Sequence, residues 1–438
     1  MSGMISSVSN IAQQGGKINR LYKKVLHSGK RHKMADTLIN GHRTIREMDV
    51  FYNRHMTIEN KEHNPGVTAF MNSIPADVWR GGEKWMVNAA AGLAGRGHKV
   101  ICIGRKHAVW LEKAMARGIE TIGLPIHSDF DPIIICRLFS LFKKRHVRIL
   151  CCNFEKDVRL GGIAGRMAGL EKIFVRKGLS LIYDKLRYRL AYKYVVDDII
   201  TPAAFIKKQF AAFPWLDQNR IHVVPNGVEV PDAARFDIRK LRIRAGITGN
   251  DPVVFGAGRI FSQKGFEYFI EALSLLHRQG IRVHGAIAGG GDEETITALA
   301  GQFGIASFVH LLGHCNDVLE LMYGADAFIL SSVDEGLPNV VLEAMSVGTP
   351  VVAAGAGGTA EIITDGADGF VVPVKDSGSL ADRIGRLIKE KALAARIGSA
   401  GKKTVQERFS LPRMVDKLEA LFLLSVSDTE GGGAHDKR

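Results

Sequence analysis

From Gly66 onward, short apolar strands alternate with helical runs, and the alternation plays through twice, before and after Pro225-Asn226-Gly227-Val228. No other feature constrains the fold as strongly. Strands separated by helices pair in parallel, because each helical crossover returns the chain to the same end of the sheet. The first run reads as strand Val67–Met71, a tight turn at Arg80-Gly81-Gly82-Glu83, helix Lys84–Leu93 and strand Lys99–Ile103. Helix Ala108–Arg117, strand Ile119–Leu124, helix Pro132–Lys144 and strand Ile149–Cys152 follow. The second run opens on the very apolar strand Pro252–Ala257 and helix Phe266–Gln279. It continues through strands Arg282–Ala288, Phe308–Leu312, Ala327–Ser331 and Pro350–Ala354, with helices Asp292–Phe303, Val318–Tyr323 and Pro338–Val347 between them.

A chain of 438 residues exceeds what one hydrophobic core usually serves. The expected division is a basic N-terminal extension over 1–64, a first Rossmann-like domain over 65–228 and a second over 229–409. A last helix over 410–424 returns to the first domain, and 425–438 forms a disordered tail. The extension is polar, with one short basic helix expected near Ile18–Leu26. Two doubly wound sheets in tandem face each other across a cleft, and ligands of such sheets bind at the carboxyl ends of the strands, at the switch point.

Bulk properties narrow the function classes. No apolar run reaches the roughly 18 residues that span a bilayer, and the N-terminus shows no signal-peptide core. The five cysteines have no metal-ligand spacing, and their odd number favours a reducing compartment. The cytoplasm is therefore expected. The net charge of +14 sits in the first half: residues 137–220 carry 18 Lys and Arg against 7 Asp and Glu, whereas 221–438 carry 22 against 27. A field concentrated on one lobe suits a nucleic acid, an anionic membrane or an anionic substrate.

The motifs lie at strand ends. After the apolar strand ending at Ser331, Asp334 and Glu335 fall in the loop at its carboxyl end. Gly336 permits close backbone approach to a ligand. Pro338 suits a first helical turn and Gly348 the position after the last. Amides at that helix start offer donors and positive dipole character to an anion. Glu343 lies about one turn inside the helix, among Val341, Leu342, Ala344 and Met345. Gly258-Arg259-Ile260-Phe261-Ser262-Gln263-Lys264-Gly265 follows strand Val253–Ala257, where Arg259 and Lys264 can both face a diphosphate. Gly289-Gly290-Gly291-Asp292-Glu293 follows another strand.

The string from Ser331 to Pro350 resembles the EX7E signature of retaining GT-B glycosyltransferases of glycosyltransferase family 4. Its flanks match too, with Gly357-Gly358 and Glu361-Ile362-Ile363, and the stretch 258–265 resembles the family's G-R-x-x-x-x-K-G pattern. The resemblance implies an α/β GT-B fold of two Rossmann-like doubly wound domains. It also implies a nucleotide diphosphate sugar as donor substrate, with no cofactor. Carried over, Glu343 accepts from the ribose hydroxyls and Glu335 stands near the donor sugar. Gly336, Leu337, Pro338, Asn339 and Val340 supply backbone contacts to sugar and phosphates. Arg259 and Lys264 hold the diphosphate, Gly258 and Gly290 approach the nucleotide, and Gly313 lies in the base-contacting loop. Gly82, in the first domain's glycine turn, faces the donor phosphates or the acceptor.

The acceptor side departs from the family. Many members carry a histidine after the strand that here ends at Cys152; Asn153 is the nearest positional match, followed by Glu155 and Asp157. Arg176 and Lys177 stand where relatives often have His-Gly, and His127 is a further candidate at the cleft edge. The inferred reaction moves a glycosyl group with retention, and Asn153, Glu335, Arg259 and Lys264 form the expected catalytic set. No Asp-x-Asp metal pair stands at a suitable strand end, so the reaction is expected to be metal-independent. The acceptor expected is a glycan or lipid-linked glycan, in lipopolysaccharide or polysaccharide biosynthesis. Cations interleaved with Leu and Tyr over 184–194 suggest peripheral contact with the cytoplasmic face of an anionic inner membrane. No RNA- or DNA-binding motif is evident, so no nucleic-acid partner is expected. The rival readings are another GT-B enzyme, a phosphorylase or sugar-nucleotide epimerase, and more remotely a basic nucleic-acid-binding protein.

Overall fold

The computed structural model describes residues 66–179 and 184–430. The extension 1–64, the helix expected near Ile18–Leu26 and residues 431–438 of the expected tail lie outside the described residues. Seven strands form the first sheet: β1 (Val67–Asn72), β2 (Lys99–Arg105), β3 (Glu120–Leu124), β4 (Val147–Cys152), β5 (Lys172–Arg176), β6 (Asp198–Thr201) and β7 (Ile221–Val223). Their order is β3-β2-β1-β4-β5-β6-β7, parallel throughout. Six strands form the second: β8 (Val253–Ala257), β9 (His284–Ala288), β10 (Val309–Leu311), β11 (Ala327–Leu330), β12 (Val351–Ala354) and β13 (Phe370–Val372). Their order is β10-β9-β8-β11-β12-β13, again parallel.

Both sheets reverse direction of growth once, between β1 and β4 and between β8 and β11. Crevices open at the carboxyl ends of those strands, which places Asn72, Cys152, Ala257 and Leu330 at the mouths of two facing sites. Every residue of β8 and β11 is buried, as expected of central strands covered by helices on both faces.

One face of the first sheet carries the helix Gly81–Ala94 and the last helix, Leu411–Glu430. The Phe422 ring sits 4.8 Å from that of Phe174 and 6.5 Å from that of Phe70, and Met414, Val415 and Leu418 complete the contact. Arg96 adds ion pairs to Asp416 and Glu419. The helix runs to Glu430, past the 424 expected. The opposite face packs the helix Pro132–Arg145 through Leu138 and Phe142. The chain crosses between domains twice at one place: the Val228 N–H donates to the Phe409 carbonyl at 2.9 Å, and the Leu411 N–H donates to Val228 at 3.0 Å.

Two local expectations change. Gly81 and Gly82 belong to the first turn of a helix, not to a turn preceding one. The Glu83 carboxylate accepts the Arg80 N–H at 3.0 Å, which ties down the chain at the helix entry and fixes its start. Pro338 caps rather than begins its helix: its ψ of 103° is extended, and the helix is Asn339–Ser346. Gly348 follows that helix with φ +84°, as expected.

Candidate functional site

The second domain builds its half of the cleft from the loops after β8, β9 and β11. The first two are laced together: Gly258 N–H donates to Ala288, Ile260 N–H to Gly290 at 3.0 Å, and Asp292 N–H back to Ile260 at 3.0 Å. Gly313 joins them by accepting the Gly289 N–H at 2.7 Å. Gly290 itself is exposed, and a Cβ there would meet nothing within 4 Å. Lys264 runs its stem past Gly258 and pairs with Glu335 at 2.6 Å. This pair is largely shielded, with 21% and 12% of the two side chains exposed, so it is held more firmly than a surface pair. Gln263 fastens the same loop to the β11 loop by accepting the Val333 N–H at 2.9 Å. Arg259 is exposed, with its guanidinium 5.0 Å from the Phe261 ring centroid, and it has no ion pair among the described residues.

Gly336 is where the two domains touch. A Cβ on it would stand 2.1 Å from the Gly178 carbonyl oxygen, so no side chain fits there without a backbone shift. Leu337 and Pro338 are buried behind it. The amides of Asn339 and Val340 open the helix Asn339–Ser346 and lack intrahelical acceptors by geometry. Asn339 also receives a hydrogen bond across the cleft, from the Asn226 side chain at 2.7 Å.

The first domain's half is a buried polar cluster around Glu83. That carboxylate, 1% exposed, accepts from Asn72 at 3.1 Å and from Asn153 at 3.3 Å. It thereby orients the Asn153 amide beside Gly82, whose Cβ would lie 3.4 Å from Asn153 Nδ2. Arg176 is buried in the same cluster. Its guanidinium lies 4.8 Å from the Trp85 ring centroid and donates to Asn226 at 3.3 Å. Burial pushes its pKa down to about 10, opposed in part by the Glu83 charge.

Two ion pairs span the site: Lys264 with Glu335 inside the second domain, and Lys84 with Glu343 between the domains. The structure thus presents Lys84 on Glu343, the carboxylate to which the resemblance assigns the ribose. The sequence alone does not single out Lys84, Glu83, Asn72 or Asn226 as site residues. The only sequence signal for the first two was the charged pair directly after Gly81-Gly82.

The remaining acceptor-side candidates separate into different settings. Asp157 is fully buried and accepts three backbone N–H groups, from Ser73 at 2.8 Å, Phe154 at 2.8 Å and Asn153 at 3.2 Å. It braces the β4 loop against the β1 loop, and burial raises its pKa to about 6. Glu155 bonds to Lys177 and also accepts from Tyr192 at 2.7 Å. His127 is exposed, after β3 at the sheet edge, away from the switch point. Among the described residues there is no group of three His, Cys, Asp or Glu that could hold a metal. A cavity of about 260 Å³ is lined by Ile260, Phe261, Ser262, Phe266, Asp292 and Ile296.

Outside the cleft, the helix Leu186–Tyr194 buries Tyr188 and Tyr192 and exposes Leu186, Leu190 and Tyr194. The exposed three recur every four residues and so share one face, with Arg187 and Lys193 exposed beside them. No helix among the described residues is long and apolar enough to cross a membrane.

Comparison with known proteins agrees with this architecture. Residues 79–231 match the model of the family described as Glycosyltransferase Family 4, and residues 237–404 that described as Glycosyl transferases group 1. The chain is 28% identical over 339 residues to the lipopolysaccharide core biosynthesis glycosyltransferase LpsE of Rhizobium meliloti, covering 77% of this chain and 94% of that protein. It is 33% identical over 331 residues to the putative glycosyltransferase EpsD of Bacillus subtilis, covering 69% and 84%. Among solved structures, a glycosyltransferase from Rickettsia africae superposes with a TM-score of 0.74 at 20% identity, over 84% of this chain and 100% of that one. Anabaena HepE, solved in complex with UDP-glucose, gives 0.68 at 21% identity over 81% and 99%. The fold is GT-B.

Proposed function

This chain belongs to the group 1 and family 4 glycosyltransferases, and we propose that it transfers a sugar, with retention at the anomeric carbon, from a nucleotide diphosphate donor to a glycan or lipid-linked glycan. The observation that carries the donor reading is the convergence of Lys264, Glu335, Glu343 and the start of the helix Asn339–Ser346 on one face of the cleft. A diphosphate leaving group gains negative charge as the glycosidic bond breaks, and preorganised cations and amides stabilise that charge. Arg259 and Lys264 supply the cations, and the Asn339 and Val340 amides supply the donors. Glu335 accepts from donor-sugar hydroxyls, and Glu343 accepts the ribose diol, for which a carboxylate offers two oxygens. With the leaving group neutralised by side chains, the reaction proceeds without a metal. Gly313 lies beside the nucleotide base. Asn153, held by Glu83, reaches the reacting sugar from the first domain.

The Rhizobium meliloti relative named above supports a role in lipopolysaccharide assembly, and the UDP-glucose complex of HepE supports a nucleotide-sugar donor. Membership in a transferase family favours transfer over the phosphorylase, epimerase and nucleic-acid readings. The exposed Leu186, Leu190 and Tyr194 with flanking cations support peripheral binding to an anionic cytoplasmic leaflet. Co-sedimentation with vesicles that shows no preference for anionic over neutral lipid would sink the membrane part. Proton NMR of the first product formed tests the reaction: the account requires the donor's anomeric configuration, and an inverted product refutes it.

A further inference from the structure

We propose that Lys84 is a donor-binding residue supplied by the first domain, holding the Glu343 carboxylate until a ribose diol takes it and then pairing with the donor diphosphate. The inference rests on the donor site proposed above and goes beyond it by assigning a phosphate-binding cation to the opposite wall of the cleft.

Three observations lead there. First, Lys84 lies in the opening turns of the helix Gly81–Ala94 and bonds to Glu343 Oε1, across the cleft and 259 residues away in sequence. Lys84 keeps 41% of its side chain exposed, so the pair is wet on one side and exchanges its partner at small cost. Second, the starts of two helices meet at this point. A Cβ on Gly81 would stand 3.3 Å from Asn339 Nδ2, at the head of the helix Asn339–Ser346. Each helix start carries partial positive charge. Arg176 adds a full one, with Nη1 3.7 Å from a Cβ on Gly82, and among the described residues no carboxylate lies within ion-pair distance of it. Positive charge therefore converges from both domains on one spot, and such an arrangement favours an anion between them.

Third, the second domain repeats the device. Lys264 holds Glu335 as Lys84 holds Glu343. Each carboxylate assigned to donor hydroxyls is thus engaged by a lysine. Hydroxyls can replace an ammonium as donors to a carboxylate without leaving its oxygens unpaired. The ammonium so released needs an anion, and a flexible four-carbon stem carries it to the diphosphate beside the ribose. Because one of the two lysines comes from each domain, diphosphate binding ties the domains together and links donor occupancy to cleft closure.

The test is isothermal titration calorimetry. Wild-type chain is titrated with UDP, GDP and ADP, and the nucleotide that binds, together with its nucleoside, is carried to Lys84→Met, Lys84→Arg and Lys264→Ala. In Lys84→Met the Kd for the diphosphate rises about tenfold to a hundredfold, as loss of a charge-assisted bond requires. Lys84→Arg recovers most of the affinity, and in Lys84→Met the nucleoside Kd stays unchanged or falls, because Glu343 is no longer held. A diphosphate Kd in Lys84→Met equal to wild type overturns the proposal, and so does a nucleoside loss as large as the diphosphate loss. If Lys264→Ala weakens the diphosphate and Lys84→Met does not, the donor site stands and the Lys84 assignment fails. If none of the three nucleotides binds the wild-type chain, the donor reading fails, and the role of Lys84 with it.

Discussion

Replacing Gly357 by alanine moves Glu335 without altering its carboxylate. Gly357 has φ +55°, and a Cβ there would stand 1.7 Å from the Glu335 carbonyl oxygen and 2.6 Å from its carbonyl carbon. Left-handed backbone costs a non-glycine residue about 1–2 kcal/mol. Relief to an ordinary carbon–oxygen separation of about 3.3 Å demands a backbone shift of about 1.6 Å, and overpacking of that kind costs about 1–3 kcal/mol. The total of about 2–5 kcal/mol lowers Tm by about 5–15 °C for a domain of this size. Part of the shift is passed to Glu335, and about 1 Å of misplacement in a catalytic group costs about a hundredfold in turnover. Gly366→Ala is the matched control: its φ is +72°, yet a Cβ there meets nothing within 4 Å. It bears only the conformational cost of about 1–2 kcal/mol and keeps full turnover. Thermal melts and donor turnover are measured on both variants. Equal Tm losses with turnover intact in both would refute the reasoning.

Other consequences are equally specific. Burial raises the Asp157 pKa from 3.8 to about 6, so the fold binds this proton more tightly than the unfolded chain does. The resulting stability is fully present below about pH 4 and is lost as pH rises through about 6. Asp157→Asn flattens that part of the Tm–pH curve and costs about 1–3 kcal/mol at neutral pH, since three backbone N–H groups lose their carboxylate. A Tm–pH slope unchanged between wild type and variant would show that Asp157 does not titrate there. Glu361 of the second domain accepts the Ala204 and Phe205 N–H groups of the first, at 2.8 and 2.6 Å. Glu361→Ala removes that cap and costs about 1 kcal/mol, read as a small Tm loss with nucleotide Kd within a few-fold of wild type.

Much of the donor side was legible in the sequence because its residues lie in short, punctuated stretches. The strand ending near Ser331, the glycine after Glu335 and the helix carrying Glu343 are local features, and each sits at the expected strand end. The limits were physical. Strands β6, β7 and β13 hold only three or four residues each, and strands that short stand out in a sequence only where a motif follows them, as after β10 and β11. Gly81-Gly82 read as a turn because two glycines disfavour helix, whereas the Glu83 carboxylate anchors the entry and tertiary packing of Trp85, Met86 and Leu93 supplies the stability. The pairing of Lys84 with Glu343 joins residues 259 apart, and Asn226 with Asn339 joins residues 113 apart. Partners so distant leave no periodic or spacing signal in a single sequence. Asp157 shows the reverse limit: an ionisable residue at a strand end looked available to an acceptor, and the fold uses all of its oxygens internally.

The central claim is that the cleft between β8 and β11 binds and activates a nucleotide diphosphate sugar. Turnover of UDP-, GDP- and ADP-sugars by the wild-type chain, repeated with Glu343→Ala and Lys264→Ala, tests it most directly. The account predicts one preferred donor, consumed by the wild type and slowed at least about a hundredfold in each variant, with the loss of Lys264 acting on leaving-group charge. Donor consumption that survives both substitutions at the wild-type rate would contradict it.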